Sequence, residues 1–295
     1  MKRFVQIIAA AIALCAASSA AAVNPKIISI GPDWGYTVIP SKNIVTEKRT
    51  SAMNFTKIEV SGYVSLTVEE RNDNIIVIRT PENLMPYLKL SVSNGVLEAG
   101  LEGVRISRKY ENASHPVEIF IPDNGRIEEI DVSAVSKVEV LPRIGTAAFS
   151  ADVSGVSVLN VNVASASARF DVSGASAVKF ESEGSRLSVD ASGSSSVSGS
   201  VRAVKSVIDV SGASSVTLEG LSESAEIEVS GVSGFNGGGM KTTVCTVEAT
   251  GCSSAEVLCS GSLSAEAHGM SAVTYSGECR LSSVSTSGMS NVKKR

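Results

Sequence analysis

The chain has 295 residues, a net charge of −4 and only 4% aromatic side chains. A weakly acidic chain without a basic excess is not expected to bind nucleic acid, and that class of partner is excluded. Because aromatic residues are scarce and 25 residues are glycine, we expect a narrow interior that is filled by small side chains.

The first 22 residues have the features of a secretory signal peptide. Residues 2–3 are basic, residues 4–14 are apolar, and residues 20–22 supply an Ala-x-Ala cleavage site. We expect residues 1–22 to be removed, by a cut after the last alanine or two residues earlier, and the protein to be exported to the periplasm, the cell surface or the medium. A lipid anchor at Cys15 is not expected, because a leucine stands directly before it. No later stretch reaches the roughly 18 apolar residues of a membrane span.

Residues 23–50 are rich in proline and glycine around short apolar runs, which predicts an extended N-terminal arm with one short strand. Trp34 and Tyr36 lie on this arm, where their rings could bind a ligand by stacking on sugars. The interpretation that we favour is that the two rings anchor the arm to the body of the protein.

From Phe55 onward, apolar and polar residues alternate with the period of two that is typical of β-strands. Residues 59–62 read Glu-Val-Ser-Gly and resemble the repeat that follows them. We therefore predict that residues 51–130 form irregular coils of the same body, with larger side chains, and that they close its first end.

Residues 131–292 repeat one unit nine times. The unit that begins at Asp171 reads Asp-Val-Ser-Gly-Ala-Ser-Ala-Val-Lys-Phe, and successive units start 18 to 21 residues apart. A fixed period near 19 without a helical pattern is typical of a stacked solenoid. The units start at Asp131, Asp152, Asp171, Asp190, Asp209, Glu228, Glu248, Glu266 and Ser285.

Within each unit, numbered from its acidic residue, apolar residues flank position 1 and in most units occupy position 8. This period of two predicts strands with one buried face, and no unit is long enough to contain a crossover helix. We therefore predict an all-β fold, a single-domain parallel β-helix over residues 51–295, whose coils hydrogen-bond to each other about 4.8 Å apart.

Position 4 is glycine in eight units, and position 6 is serine in all nine. A repeated glycine between two strands predicts a corner with positive φ or without room for a side chain. Stacked hydroxyls can satisfy the backbone groups of such a corner. Both rows are interpreted as structural, since serines without a general base do not predict catalysis. The rows include Gly155, Gly174, Gly193, Gly212 and Gly231, and Ser157, Ser176, Ser195, Ser214 and Ser233.

Three stretches together resemble a known family. Residues 55–62 (Phe-Thr-Lys-Ile-Glu-Val-Ser-Gly), residues 117–122 and the Asp-Val-Ser-Gly-Ala-Ser repeats are similar to the putative auto-transporter adhesin head (GIN) domain family of Gram-negative bacteria. The resemblance covers roughly residues 55–290 and implies a secreted or cell-surface β-helix. It brings no catalytic residues, and it implies adhesion only through likeness of fold.

The acids at position 1 are the strongest candidate site. Carboxylates that are stacked at coil spacing repel each other, and bound calcium would relieve the repulsion. Three roles are open: contacts within the fold, calcium binding, or contact with a glycan or surface protein through Asp152, Asp171, Asp190 and Asp209. We favour the first, because calcium-binding β-roll repeats read Gly-Gly-x-Gly-x-Asp and this chain lacks that pattern. No other cofactor is expected.

A polysaccharide lyase or hydrolase is the enzyme alternative. Such a site needs paired carboxylates or a basic residue that converge in a groove, and no groove stands out in the sequence. His115 precedes a proline in a predicted loop, and His268 replaces the serine of position 3 and is expected to face solvent. A histidine-based catalytic site is therefore not expected.

Four of the five cysteines lie late in the chain, at residues 245, 252, 259 and 279. Their spacing does not match a zinc site. Cys259 and Cys279 fall on adjacent coils, and an exported protein can hold a disulfide between them. The alternative is that the cysteines serve as small packing residues.

The last repeat is followed by three basic residues, 293–295, which can protect an open parallel edge from aggregation. Otherwise the end coil can pair with a second copy, so a homodimer is an open alternative to a monomer. The sequence predicts an exported, non-enzymatic, adhesin-like binding module for a glycan or a protein. A polysaccharide-acting enzyme and a structural envelope protein are the alternatives.

Overall fold

The computed structural model describes residues 27–30, 36–107 and 115–295. The predicted signal peptide, its cleavage site, Cys15 and Trp34 lie outside the described residues. Tyr36 is described as part of a strand, without its side chain, so the predicted roles of both rings stay predictions.

Strands make up most of the described chain, together with one 3-10 helix over Glu82–Tyr87. The strands before the repeats are β1 (Ile27–Ile30), β2 (Tyr36–Val38), β3 (Ile44–Thr50), β4 (Lys57–Ser61), β5 (Val64–Glu69), β6 (Ile75–Pro81), β7 (Leu88–Ser93), β8 (Val96–Leu101), β9 (Val104–Ile106) and β10 (Val117–Pro122). The strands of the repeats are β11 (Glu129–Val132), β12 (Lys137–Val153), β13 (Val158–Val172), β14 (Ala177–Ala191), β15 (Ser196–Val210), β16 (Ser215–Val229), β17 (Gly234–Ala249), β18 (Ser254–Gly269), β19 (Ala272–Ser276), β20 (Arg280–Gly288) and β21 (Asn291–Lys294). Strands β1, β2 and β9 form a small sheet, and the other 18 belong to one large sheet.

The repeats form the predicted solenoid. Each of the strands from β12 to β17 pairs in parallel with the next one, and β18 continues the stack onto β19 and β20. Val158 lies opposite Ala177, which lies opposite Ser196, so the 19-residue period of the sequence is the register of the sheet. The all-β, single-domain parallel β-helix is therefore confirmed, with about nine turns in the part of the chain that is described.

The first end of the solenoid combines parallel coils with antiparallel strands. Strand β4 lies in register with β11, and β5 with β12, as expected for irregular coils of the same body. Strand β3, however, pairs antiparallel with β6 over its full length, and β7 pairs antiparallel with β8. The arm therefore contributes more strand than the one short strand expected. No residue of β3 is fully buried, so backbone hydrogen bonds and not an apolar pattern define this strand.

The interior is narrow, as the composition predicts. The rings of Phe170 and Phe180 stack with centroids 4.3 Å apart, and Phe149 contacts Phe170 at 5.7 Å. Gly199 follows Phe180 on the next coil, and a Cβ at this glycine would lie 2.7 Å from the Phe180 ring. The interior thus accommodates large rings where an adjacent coil has no side chain.

The glycine corners need glycine for two separate reasons. Gly212 has φ = +74°, a conformation that costs an L-residue about 1–2 kcal/mol. A Cβ at Gly212 would also lie 2.6 Å from the carbonyl oxygen of Gly193 on the preceding coil. Ala134, the non-glycine corner of the first unit, has φ = +63° and shows that the conformation alone can be tolerated. The close approach between successive coils is the stricter requirement.

The serines at position 6 line the inside of the same corner. From the first unit to the eighth they are at most 4% exposed: Ser136, Ser157, Ser176, Ser195, Ser214, Ser233, Ser253 and Ser271. Ser214 Oγ accepts hydrogen bonds from the backbone N–H of Ser195 at 3.3 Å and from Ser195 Oγ at 3.2 Å. Ser157 Oγ, by contrast, has no hydrogen-bond partner among the residues that the structure describes. The row therefore contains both satisfied and unsatisfied hydroxyls.

We expect Gly212→Ala to lower the free energy of unfolding by about 3 kcal/mol or more, because it adds a backbone clash to the strain of positive φ. Gly95→Ala is the matched control, since Gly95 has φ = +80° but no atom within 4 Å of the added Cβ. The control should lose only about 1 kcal/mol. Urea unfolding measures both values, and equal losses would show that the close approach between coils contributes nothing.

We expect Ser214→Ala to destabilise the protein by about 1–2 kcal/mol, because it removes the acceptor of two buried groups of Ser195. Ser157→Ala removes a hydroxyl without a partner, so its effect should be neutral or slightly stabilising. The difference between the midpoints of urea unfolding of the two variants tests the assignment. Equal losses would contradict it.

Candidate functional site

The most extensive arrangement of ionisable side chains is a line of ten carboxylates, which we call the acidic row. Each lies opposite the next one on the neighbouring strand, in the order Glu98, Glu59, Asp131, Asp152, Asp171, Asp190, Asp209, Glu228, Glu248 and Glu266. With strands about 4.8 Å apart, the row spans about 43 Å. Ser285 occupies the next position, where the acid is lost.

The strand alternation of each unit holds the row on the surface. Asp171 stands between Phe170 and Val172, both of which are at most 2% exposed. Because successive side chains of a strand point to opposite faces, two inward apolar residues force the acid between them outward. The same local pattern repeats on every coil, so the carboxylates align without contacts of their own.

Sequence reasoning found eight members of the row and missed two. Glu59 could have been assigned, because its Glu-Val-Ser-Gly stretch matches the repeat. Glu98 lies on β8, which forms an antiparallel pair with β7 and joins the row by parallel pairing with β4. No local signal marks that position.

Cations neutralise the first part of the row. Lys57 Nζ lies 3.0 Å from Glu59, 3.0 Å from Glu129 and 2.6 Å from Asp131. Hydrogen bonds to these carboxylates, that of Asp131 above all, raise the pKa of Lys57 far above its ordinary value. Lys57 therefore keeps its charge and links β4 to β11.

Two further acids of the row have a basic neighbour. Arg169 donates two hydrogen bonds of 2.8 Å to the carboxylate of Asp171, two residues along the same strand. Lys89 Nζ lies 3.0 Å from Glu98 at the start of the row. These contacts meet the expectation of partners within the fold for part of the row.

Five acids of the row, four of them in its second half, are without ion pairs. Among the described residues, Asp152, Asp190, Asp209, Glu228 and Glu248 form no ion pair and accept no hydrogen bond. Partial burial and the neighbouring carboxylates raise the pKa of Asp152, Asp190 and Asp209. No ion pair therefore relieves the repulsion along these positions.

No three metal-ligating side chains of the described residues converge on a point where they could hold a metal ion. The carboxylates of the row are arranged in a line and do not enclose a site. Calcium binding by the row is therefore an expectation to be tested by experiment, and no single coordination site can be named.

A cavity of about 420 Å³ lies over the first half of the row. Its walls carry the carboxylates of Glu59, Asp131 and Asp152 and the hydroxyls of Ser61 and Ser133. This concavity and the acidic row therefore coincide. Lys57 reaches the carboxylates of Glu59 and Asp131 there.

A second concavity, of about 260 Å³, lies on a different surface of the solenoid. It contains Glu181, Glu183, Arg143 and Arg202, the mixture of residue types that a polysaccharide-cleaving site would need. Arg143 hydrogen-bonds Glu183 at 2.5 Å, and this contact lowers the pKa of Glu183. A general acid for glycoside hydrolysis needs a raised pKa, so the shift of Glu183 is in the wrong direction for that role.

The two histidines lie apart from any such pair of carboxylates. His268 is partly exposed, and its Nδ1 lies 2.8 Å from Ser287 Oγ. His115 is partly buried, burial lowers its pKa, and its Nε2 has no hydrogen-bond partner among the described residues. Neither ring is placed beside a hydroxyl or carboxylate of the 260 Å³ concavity.

The pKa shifts along the row predict how stability depends on pH. A carboxyl whose folded pKa is raised binds protons more tightly when folded, so the folded state gains stability as pH falls through that pKa. At pH 7 each unrelieved acid is therefore destabilising. We expect Asp190→Asn to stabilise the protein at pH 7 by about 0.5 kcal/mol, a small value because the group is mostly solvated.

The gain should disappear below the ordinary aspartate pKa of about 3.9, where the native carboxyl is protonated as well. Glu219→Gln is the matched control, because Glu219 forms no ion pair and lies opposite Ser200, away from the row. It should show no pH-dependent gain in thermal unfolding measured at several pH values. Loss of stability in Asp190→Asn at pH 7 would contradict the assignment.

No helix among the residues that the structure describes is long and apolar enough to cross a bilayer. No curated protein matches the sequence.

Comparison with solved structures shows the same fold. A crystal structure described as a putative adhesin from Parabacteroides merdae has a TM-score of 0.65 at 18% identity and covers 88% of this chain and 99% of that one. A putative adhesin from Parabacteroides distasonis has a TM-score of 0.62 at 16% identity and covers 88% and 100%. A third structure, a putative lipid binding protein from the same organism, has a TM-score of 0.59 at 13% identity and covers 88% and 99%.

The sequence profile of one family matches the greater part of the chain. Its description is "Putative auto-transporter adhesin, head GIN domain", and it matches residues 54–208 and 182–279. Neither this family nor the similar structures are described as enzymes, and the family suggests an exported or surface protein. The protein therefore belongs to the family of putative auto-transporter adhesin head GIN domains.

Proposed function

We propose that the protein is an exported, adhesin-like module without enzymatic activity that binds cationic groups of a surface protein or glycan through the acidic row. The observation that carries this proposal is a run of four successive carboxylates, Asp190, Asp209, Glu228 and Glu248, that form no ion pair among the described residues. A partner with ammonium or guanidinium groups would relieve a repulsion that the fold leaves in place.

The geometry favours an extended partner. Adjacent carboxylates are about 4.8 Å apart, so lysine or arginine side chains, or the amines of a polymer, can meet several of them at once. A single exposed ion pair contributes little, about 0–1 kcal/mol, but linked contacts add up through effective concentration. Such binding should be weakened by salt, because the charges lie at the surface.

The four acids expected to contact a ligand differ in whether they already form an ion pair within the fold. Asp190 and Asp209 are free of ion pairs, and Asp152 lies beside the cluster around Lys57 without an ion pair of its own. Asp171 already pairs with Arg169. We therefore assign the main contact surface to the positions from Asp190 to Glu248 and a smaller role to Asp171.

Export and surface location are supported by the signal features of residues 1–22 and by the family of adhesin heads. Calcium is kept in the proposal as a bridging ion, because carboxylates are its usual ligands. The structural envelope protein is the competing function, and it requires no ligand on the row. The enzyme alternative would need a general acid other than Glu183, because Arg143 lowers the pKa of that carboxyl.

The predicted homodimer through the end coil stays a prediction. Leu281 and Val284 of β20 are 43% and 46% exposed, which would suit pairing with a second copy. Lys294 and Arg295 fold back onto Glu278 and Glu256, which fits the alternative of a protected edge. Light scattering over a range of protein concentrations decides between dimer and monomer.

The test is binding of residues 23–295 to an array of glycans and matrix proteins, with calcium and again with a chelator. The row variant is Asp190→Asn with Asp209→Asn, and the control is Glu219→Gln with Glu223→Gln. Both remove two negative charges, but Glu219 and Glu223 lie off the row. We expect cationic ligands to bind the wild type and the control equally and the row variant about 10-fold more weakly, the equivalent of about 1.4 kcal/mol.

Equal binding by the row variant and the control would contradict the assignment of the row. Cleavage of a glycan would contradict the absence of enzymatic activity, and an array without any bound ligand would favour the structural envelope protein. Binding that the chelator abolishes would show that calcium takes part in the contact.

A further inference from the structure

Three of the four late cysteines converge inside the last coils of the solenoid. Cys245 on β17 and Cys259 on β18 are at most 1% exposed. Cys279 lies directly before β20 and packs, partly buried, against the same core. Cys252, by contrast, is exposed. All four are thiols in this structure.

The side chains of Cys259 and Cys279 interact across neighbouring coils, and Cys259 contributes to the raised pKa of the Cys279 thiol. Cys259 Sγ donates a hydrogen bond of 3.3 Å to the carbonyl oxygen of Ser262. Gly277 makes this contact possible, because its φ is +91° and a Cβ there would lie 2.3 Å from the carbonyl oxygen of Cys259. The backbone before Cys279 therefore lies directly against Cys259.

The register of the sheet places the two cysteines diagonally and not on the same rung. Leu258 lies opposite Ser276, and Ser262 lies opposite Arg280. Between these points Cys259 and Cys279 both turn towards the core from coils that are neighbours in the stack. Two core-facing cysteines on adjacent coils are an arrangement from which a disulfide can form.

We propose that Cys259 and Cys279 form a disulfide that fastens the final coil to the coil before it. The bond closes a loop of about 20 residues, which restricts the unfolded chain and stabilises the folded one. Among the described residues β19 lies between β18 and β21, but β20 pairs with β18 alone, so the segment around Cys279 gains most from a covalent link.

Disulfide exchange supplies the oxidant for this bond. The Cys279 thiolate attacks a sulfur of an oxidant disulfide, either glutathione disulfide or a dithiol–disulfide oxidoreductase, and forms a mixed disulfide while one thiol leaves. The Cys259 thiolate then attacks Cys279 Sγ, so the Cys259–Cys279 bond forms and a second thiol leaves. Two protons and two electrons pass from the cysteines to the oxidant.

Cys279 is suited to react first because it is the most accessible of the three converging thiols. Burial raises the pKa of Cys245 to about 12, and a thiol that does not ionise is a poor nucleophile. Burial also raises the pKa of Cys279, so exchange should be fastest before the last coil is fully packed. Cys245 is therefore expected to stay a thiol.

The test is a peptide map of residues 23–295 after equilibration in oxidised glutathione and alkylation of the remaining thiols. Cleavage after Glu248, Glu256, Glu266 and Glu278 places each of the four cysteines on a separate peptide. We expect the peptides 257–266 and 279–295 to be linked, with a mass about 2 Da below that of the two thiol peptides. Alkylated Cys259 and Cys279, or a link from Cys245 to either of them, would overturn the proposal.

A stability measurement separates the effect of the bond from that of the mutations. Reductant should lower the melting temperature of the oxidised wild type by about 5 °C, and Cys279→Ser should abolish this shift. Cys252→Ser is the matched control, since it removes an exposed thiol and should leave the shift unchanged. A shift that persists in Cys279→Ser would contradict the pairing. Neither measurement depends on the proposed binding function.

Discussion

The close approach of successive glycine corners is the constraint on which the rest of the structure depends. At Gly212 the carbonyl oxygen of Gly193 occupies the space where a Cβ would be, and the same contact recurs along the stack. Because the backbone of one coil contacts that of the next, each of the remaining positions of the repeat also lies opposite the equivalent position of the next coil, about 4.8 Å away. Coils of 18 to 21 residues remain in register here, and the differences in length are absorbed elsewhere, as in the bulge at residues 237–241.

Because of this register, a residue type that recurs at one position of the repeat forms a row along the solenoid. A serine at position 6 becomes a buried row of hydroxyls, which costs little because many of them bond to the coil before. An acid at position 1 becomes an exposed row whose members repel each other. The fold tolerates that repulsion because the carboxylates are mostly solvated, and the backbone ladder and apolar interior hold the coils together without them. The acids of the row that form no ion pair do not stabilise the fold, which is why we assign the row to binding.

The two ends of the solenoid are completed in different ways. At the first end, antiparallel strands and the cluster around Lys57 cover the stack and neutralise the start of the acidic row. At the last coil the acid is replaced by Ser285, basic residues fold back onto glutamates, and a pair of thiols meets inside. The part of the row without ion pairs therefore lies between the two ends.

The amino-acid sequence by itself determined the repeating part of this protein. The period of 19, the glycine at 174, the serine at 176 and the outward acid at 171 follow from alternation within a few residues, which is a local property of a strand. Tertiary structure alone decided the contacts that join distant segments: Glu98 at the head of the acidic row, Lys57 on Glu129 and Arg143 on Glu183. Each of these depends on how hairpins and bulges set one segment against another, and no pattern within a single segment encodes that offset.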